Sequence, residues 1–419
     1  MKIKTKKLPY ERVIEIKKPK YKKPNKPSLL FRTVVRVASV PDLMKVSFKY
    51  EGKLPKEMPC LVLMNHSSFI DLEIASKILY PHPYGIVTTS DGMVGKRWLM
   101  RRIGCMPTQK FVNDISLIKD ISYMLKAKKT SVLMYPEASY SFDGTATPLP
   151  EKFGRLLKML DVPVVMITTY GAFSRDPLYN CLQNRQVKVS AKVECLFTRE
   201  ELKEKDVSEI DGILKKAFGF DHFKWQRENG IKIDAPFRAD GLERILYKCP
   251  HCMAEGKNIG KGVSLKCNNC GKVYFLDEYG VLKAESGETE FSHVPHWYRW
   301  EREQVKAEIQ NGEYSLDTAV DIGMQVDYKA IYMVGEGRLT HTEKGFTLTG
   351  CDGKLNYTQK PLVSYGLYAD YYWYEIGDVI CIGDKNALYY CFPKENIPVA
   401  KARLATEELY KKVKSETRK

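Results

Sequence analysis

The sequence predicts an α/β domain with helices around a largely parallel sheet, then a small four-cysteine ribbon, then a β-rich C-terminal domain. Three observations carry this prediction. Between Cys60 and Thr198, short apolar runs alternate with helical patterns, as they do where helices cover a mostly parallel sheet. Two Cys-x-x-Cys pairs, Cys249 with Cys252 and Cys267 with Cys270, follow with 14 residues between them. After residue 286 come one helical stretch, a series of short strand-like runs and a last helix.

A length of 419 residues implies two or three domains. Hydrophobic content of 44%, aromatic content of 11% and charged content of 28% exclude a disordered or fibrous chain. No apolar run approaches the roughly 18 residues that cross a bilayer, and the lysine-rich start lacks the apolar stretch of a signal peptide. The expected location is therefore cytoplasmic, with reduced thiols outside the paired cysteines. A net charge of +16 points to anionic partners such as lipid headgroups, nucleic acid, an acidic carrier protein or a phosphate-rich coenzyme.

Residues 1–27, dominated by lysines with prolines between them, read as a basic arm whose composition cannot pack a core. Ser28 then caps a helix in which Leu30, Val34 and Val37 share one face and Arg32 and Arg36 another. Such a helix suits an anionic membrane surface, and it also suits a solvated position packed on the domain. Buried strands are expected at Cys60 to Met64, Tyr84 to Thr88, Ser131 to Tyr135 and Val162 to Thr168, with a half-exposed alternating strand from Val187 to Phe197. The first domain is expected to span 28–235, the ribbon 236–285 and the last domain 286–419. In the last, a helix is expected at Trp297 to Ile309. Strands follow at Thr318 to Val326, Ala330 to Val334, Gly345 to Leu348, Tyr371 to Ile382 and Ala387 to Phe392, and a helix at Ala405 to Val413.

The run Asn65-His66-Ser67-Ser68-Phe69-Ile70-Asp71 leaves a buried strand and opens a helix, at the carboxyl end of the sheet where α/β domains bind ligands. Residues five apart on a helix diverge by about 140°, so His66 is placed in the turn before the helix. With Ser68 as cap and Asp71 in the first turn, the carboxylate can orient the imidazole and stabilise its protonated form, making His66 a general base. The same residues also read as an ordinary capping box beside a core histidine.

Asn-His-x-x-x-x-Asp after an apolar strand resembles the first motif of the glycerophosphate and lysophosphatidate acyltransferase family. Three further segments resemble its later motifs in order. They are Gly95-Lys96 leading through Gly104 to Lys110, Tyr135-Pro136-Glu137-Ala138-Ser139, and Val162 to Met166. The resemblance covers roughly residues 28–235 and makes this stretch an acyltransferase domain. It implies a histidine base, His66, oriented by Asp71. The base deprotonates an acceptor hydroxyl, which attacks an acyl thioester delivered by acyl-CoA or acyl carrier protein. It further implies substrate contacts from Asn65, Lys96, Lys110, Glu137 and Ser139, with a lysolipid such as lysophosphatidate as acceptor. The protein would then be peripheral on the inner face of the membrane. For Lys96 and Lys110 the plain alternative is a solvated cation, and for Glu137 a charged residue ending a strand. Two departures stand out: Lys110 replaces an arginine, and Ala138-Ser139-Tyr140 replaces Gly-Thr-Arg. Tyrosine offers one hydroxyl in place of a guanidinium fork. That leaves open a neutral glycolipid or other membrane alcohol as acceptor, and a non-catalytic membrane adaptor.

The four cysteines can supply all corners of a tetrahedron, which predicts a structural zinc site held by Cys249, Cys252, Cys267 and Cys270, with His251 a bystander. No extended basic and aromatic run accompanies them, so nucleic acid is not the expected partner. The strands and single helix after residue 286 resemble a pleckstrin-homology-like domain. The aromatic run Tyr368 to Tyr374 is expected to pack within a sheet.

Overall fold

The computed structural model describes residues 2–112 and 115–417. Its first strand, β1 (Thr5–Lys7), lies in the basic arm and pairs in parallel with residues 331–333 of the C-terminal sheet. Val13 is fully buried in a core shared with the ribbon and the last domain, and Leu8, Tyr10 and Ile16 pack against that core. The expectation that residues 1–27 cannot pack is therefore corrected. A strand pairs through backbone groups whatever its side chains, and a few apolar residues suffice when another domain supplies the rest of the core. The arm then crosses to the first domain, where Lys22 and Lys23 accept hydrogen bonds through their carbonyls from Arg101, at 3.1 and 2.7 Å.

Seven strands form the first domain's sheet: β2 (Lys49–Gly52), β3 (Leu61–Met64), β4 (Tyr84–Thr89), β5 (Cys105–Thr108), β6 (Ser131–Met134), β7 (Val164–Tyr170) and β8 (Ser190–Phe197). Their order is β2-β8-β7-β3-β6-β4-β5, with every pairing parallel except β7 with β8. β3 is buried on both sides. Val62 and Met64 join the core on one face and Leu61 and Leu63 the core on the other, as the twofold alternation of a strand requires. β2 and β5 were not apparent in the sequence. Both are edge strands, and β2 is exposed throughout, so neither carries the apolar run that marks a central strand.

The ribbon is an antiparallel sheet of β9 (Asn258–Lys261), β10 (Ser264–Cys267), β11 (Val273–Leu276) and β12 (Leu282–Ala284). Its Leu265, Tyr274 and Leu282 share one core with Trp297 of the helix Val294–Asn311 and with Phe142 and Phe173 of the first domain.

The last sheet contains β13 (Leu316–Gln325), β14 (Ile331–Thr342), β15 (Gly345–Gly350), β16 (Leu355–Gln359), β17 (Tyr368–Trp373), β18 (Gly377–Gly383) and β19 (Leu388–Pro393). All seven pair antiparallel, and β13 joins the β14–β16 meander to β19, β18 and β17. The expected single strand Tyr371 to Ile382 is two, because Tyr374 and Glu375 turn the chain at φ 46° and 65°. Tyr368, Tyr371 and Trp373 are buried in the sheet, as expected of packing aromatics. The helix Val399–Glu416 follows and packs against Val294–Asn311.

Candidate active site

His66 lies just beyond the C-terminal end of β3, in the turn before the helix Asp71–Leu79. Asp71 is the first helical residue. Its Oδ2 accepts backbone N–H groups from Ser67 at 2.9 Å and Ser68 at 3.1 Å, and lies 3.1 Å from His66 Nδ1. One buried carboxylate oxygen thus closes the turn and fixes the imidazole. The expected Ser68 cap is corrected. Ile70 occupies the cap position, and the Ser68 hydroxyl instead donates to Asp176 and accepts from the Ile70 N–H. Ser67 Oγ meets Nε2 of the buried His222 at 3.1 Å.

The His66 ring is sandwiched between two tyrosines, Tyr135 at 4.1 Å and Tyr140 at 3.8 Å between centroids. Its side chain is 18% exposed. Burial pushes the imidazole below its ordinary value, and hydrogen bonding and charge from Asp71 act the other way. The neutral form, the one able to accept a proton, is favoured at neutral pH.

Four of the five expected substrate-binding residues surround this turn. Both oxygens of Glu137 are engaged: Oε2 accepts the His66 N–H at 3.2 Å, and Oε1 accepts the Thr147 N–H at 2.7 Å. Burial pushes its carboxyl up to about 7 against these hydrogen bonds. The Asn65 amide is likewise committed, accepting from Thr169 N–H at 2.8 Å and donating to Ser67 Oγ at 3.2 Å. These bonds hold the turn against β7. Ser139 Oγ accepts from Arg403 Nη2 at 3.0 Å. The Lys110 ammonium stands 6.0 Å over the Tyr140 ring and 4.0 Å over Tyr368, and burial lowers its pKa while Asp370 and Asp91 oppose the shift. Lys96 stands apart. Burial lowers its pKa and the charge of Asp91 opposes the shift, and Lys96 is not among the groups that act on His66.

Residues 45–169 match the model of the acyltransferase family. This segment contains the whole turn, both tyrosines and Glu137. Among solved structures, the 1-acyl-sn-glycerophosphate (LPA) acyltransferase PlsC from Thermotoga maritima is similar at 15% identity, over 45% of this chain and 78% of that one, with a TM-score of 0.35. No protein of curated function matches.

What the sequence reading missed in the acyltransferase segment is its cover. Tyr140 was noted only as a lost arginine, although its place next to Ser139 put it beside the turn. Arg403 carries no local signal, and the run holding Tyr368 and Asp370 signals only sheet packing, because all three reach the site from the last domain.

The cysteine quartet lies in the ribbon, away from this site. Cys249 and Cys270 sulfurs are 3.8 Å apart and Cys252 and Cys267 sulfurs 3.7 Å apart, with all four within 4.8 Å of one another. Four thiolates about 2.3 Å from a tetrahedral ion stand roughly 3.8 Å apart, so the quartet fits zinc. His251 faces Glu290 at 3.3 Å and is not one of the group.

Proposed function

We propose that this chain is an acyltransferase that moves a fatty acyl group from a thioester, acyl-CoA or acyl carrier protein, to a hydroxyl of a lysophospholipid such as lysophosphatidate at an anionic membrane surface. The observation that carries the reading is the 3.1 Å contact of His66 Nδ1 with Asp71 Oδ2. With Nδ1–H donating to the carboxylate, Nε2 is left as acceptor. It takes the proton of the acceptor hydroxyl as that oxygen attacks the thioester carbonyl. The C–S bond then breaks, and the imidazolium returns the proton to the departing thiolate. Asp71 holds the ring and stabilises its transient charge.

The membrane location is supported by the exposed apolar residues of two helices. Leu29, Leu30, Val34 and Val37 of the helix Leu29–Ala38 are exposed, as are Trp98 and Leu99 of the helix Arg97–Arg102. Arg102 ties the two, lying over the rings of Phe31 and Trp98. Apolar side chains fringed by arginines suit insertion at an anionic interface. Among the described residues no helix is long and apolar enough to cross a membrane. The four cysteines hold a structural zinc on this reading, since a closed sulfur shell leaves no position for substrate. Seven antiparallel strands and one helix support a pleckstrin-homology-like last domain.

Purified protein on anionic vesicles, given acyl-CoA and lysophosphatidate, is expected to form phosphatidate, and His66→Ala to lower the rate by about 10² to 10⁴. A His66→Ala protein as fast as the original sinks the mechanism. The loss of an arginine at Tyr140 favours a second reading, a neutral acceptor. Transfer to monoacylglycerol with none to lysophosphatidate is its signature. A folded, zinc-loaded protein inactive with every donor and acceptor leaves the adaptor.

A further inference from the structure

The loop after Glu137 does not end at the first domain. It runs under the helices Val294–Asn311 and Val399–Glu416, and the three enclose a cleft of about 180 Å³. Its walls include Thr145, Thr147, Arg299, Arg302, Arg403 and Glu407. Such a volume is smaller than the roughly 300–1,000 Å³ that enclose whole drug-sized ligands, so it suits a head group and not an acyl chain.

The charges lining it are unbalanced. Three guanidiniums share two carboxylates, Asp143 and Glu407, and Glu407 is divided between Arg302 and, at 3.5 Å, Arg403 Nε. Arg302 uses only Nη1 on its partners, at 2.6 Å to Glu407 and 3.0 Å to Glu408. Arg299, at the exposed mouth, has no ion pair among the described residues. Arg403 is nearly buried. Its Nη2 donates to Ser139 Oγ at 3.0 Å, its Nη1 to the Tyr140 carbonyl at 3.2 Å, and its guanidinium lies 4.2 Å over the Phe142 ring. It thus stands beside the residues where the expected motif would place an arginine.

The cleft and the histidine share a wall. Thr147 lines the cleft, and its N–H and the His66 N–H bind the two oxygens of Glu137.

We infer that this interdomain cleft binds a phosphate monoester, with Arg403 and Arg299 of the last domain supplying the guanidinium forks that Tyr140 cannot. The inference rests on the acyl-transfer reading only for the identity of the phosphate's owner. A planar fork matches a phosphate face, and a buried one holds it more strongly than a surface lysine does.

The test is calorimetric titration of the full-length, metal-loaded protein, with no acyl donor and no turnover. The probes are sn-glycerol 3-phosphate for the acceptor head, adenosine 3′,5′-bisphosphate for the coenzyme's phosphates, and glycerol as neutral control. Saturable binding of a phosphate probe is expected, weakened about tenfold by Arg299→Gln, the consequence of one lost charge-assisted contact. Arg403→Gln should weaken it at least as much, with circular dichroism confirming its fold. Should Arg403→Gln not fold, the exposed Arg299 still decides. Glycerol phosphate binding assigns the site to the acceptor, and binding of the bisphosphate alone assigns it to the donor. Binding of neither, or binding undiminished by Arg299→Gln, overturns the inference. Because catalysis is not read, an inactive protein that binds phosphate leaves the site standing, and an active protein that does not bind removes only the site.

Discussion

The turn that presents His66 and the loop that covers it are built in opposite ways. Asp71 finds all its partners within five residues of itself, through a single carboxylate oxygen. Ser139 and Tyr140 are held by Arg403, 264 positions beyond Ser139, and Phe142 packs on Tyr371 at 4.7 Å. The first arrangement survives as long as one short segment keeps its shape. The second exists only while three domains stay docked. A local device holds the imidazole, and a long-range one holds the loop that covers it.

The largest expected effect tests the long-range half. The ribbon is bolted to both helices behind the loop. Trp297 Nε1 donates to the Lys248 carbonyl at 2.9 Å, and Lys401 reaches Glu255 and Glu308 at 2.7 Å each. A structural zinc site contributes about 10 to 16 kcal/mol in finger peptides, more than most domains possess in net stability. Stripping the metal with a chelator is expected to lower the melting temperature and abolish acyl transfer together, although the quartet lies in the ribbon and His66 in the first domain. Metal analysis, thermal melting and activity on the same sample check this. Full activity in protein shown to be metal-free would uncouple the two regions.

Asp71→Asn attacks the local half. An amide oxygen can still accept from Ser67 and Ser68, but the side chain no longer carries the charge that stabilises a protonated His66. A fall in kcat/KM of about 10² to 10⁴ is expected with a small change in melting. Kinetics near the original rate would mean that Asp71 only closes the turn.

That contrast also explains what could be read from the sequence. The His66 and Asp71 pair, the central strands and the cysteine quartet were legible because each is written in consecutive or closely spaced residues. Edge strands β2 and β5 were not, since β2 is exposed throughout and β5 buries only Cys105 and Met106, too few residues to keep a pattern. The basic arm was misread because composition reports what a segment can bury by itself, and β1 and Val13 use a core made by others. Arg403 was invisible for the same reason: nothing in the run Ala402-Arg403-Leu404 distinguishes it from any helical arginine.

Glu137 is the joint between the two halves, and its replacement should have an intermediate effect. In Glu137→Gln one end of the side chain presents N–H to a backbone N–H, leaving a buried donor without an acceptor at a cost of about 1 to 3 kcal/mol. The sign of its pH dependence follows from the carboxyl near 7. The folded protein holds a proton that an unfolded chain, titrating near about 4.3, has released. The stability from that proton is fully present below the unfolded value and is lost as pH rises through about 7. Denaturant midpoints at pH 6 and pH 8 should therefore differ less in the glutamine variant than in the original. An equal difference in both would exclude Glu137 as its source.

The smallest effect asks whether the cover is in place during catalysis. Burial between Tyr135 and Tyr140 lowers the His66 value and the Asp71 charge raises it, with burial the larger influence and Lys110 acting alongside it. Under the closed cover the acid limb of kcat/KM should fall below the ordinary histidine value of about 6.5, since activity requires the neutral ring. The buried His222, pushed down to about 3, does not titrate in that window. Glu137 does, and the profile is best taken in both the original and Glu137→Gln. Lys110→Met removes one cation near the ring and should move the limb upward by a fraction of a unit. A limb above 6.5 would show Asp71 prevailing over burial, which requires the Tyr140 loop to lift away from His66 in the working enzyme. The docking of the last domain would then control opening, and loosening Arg403 would shift the same limb without touching the turn.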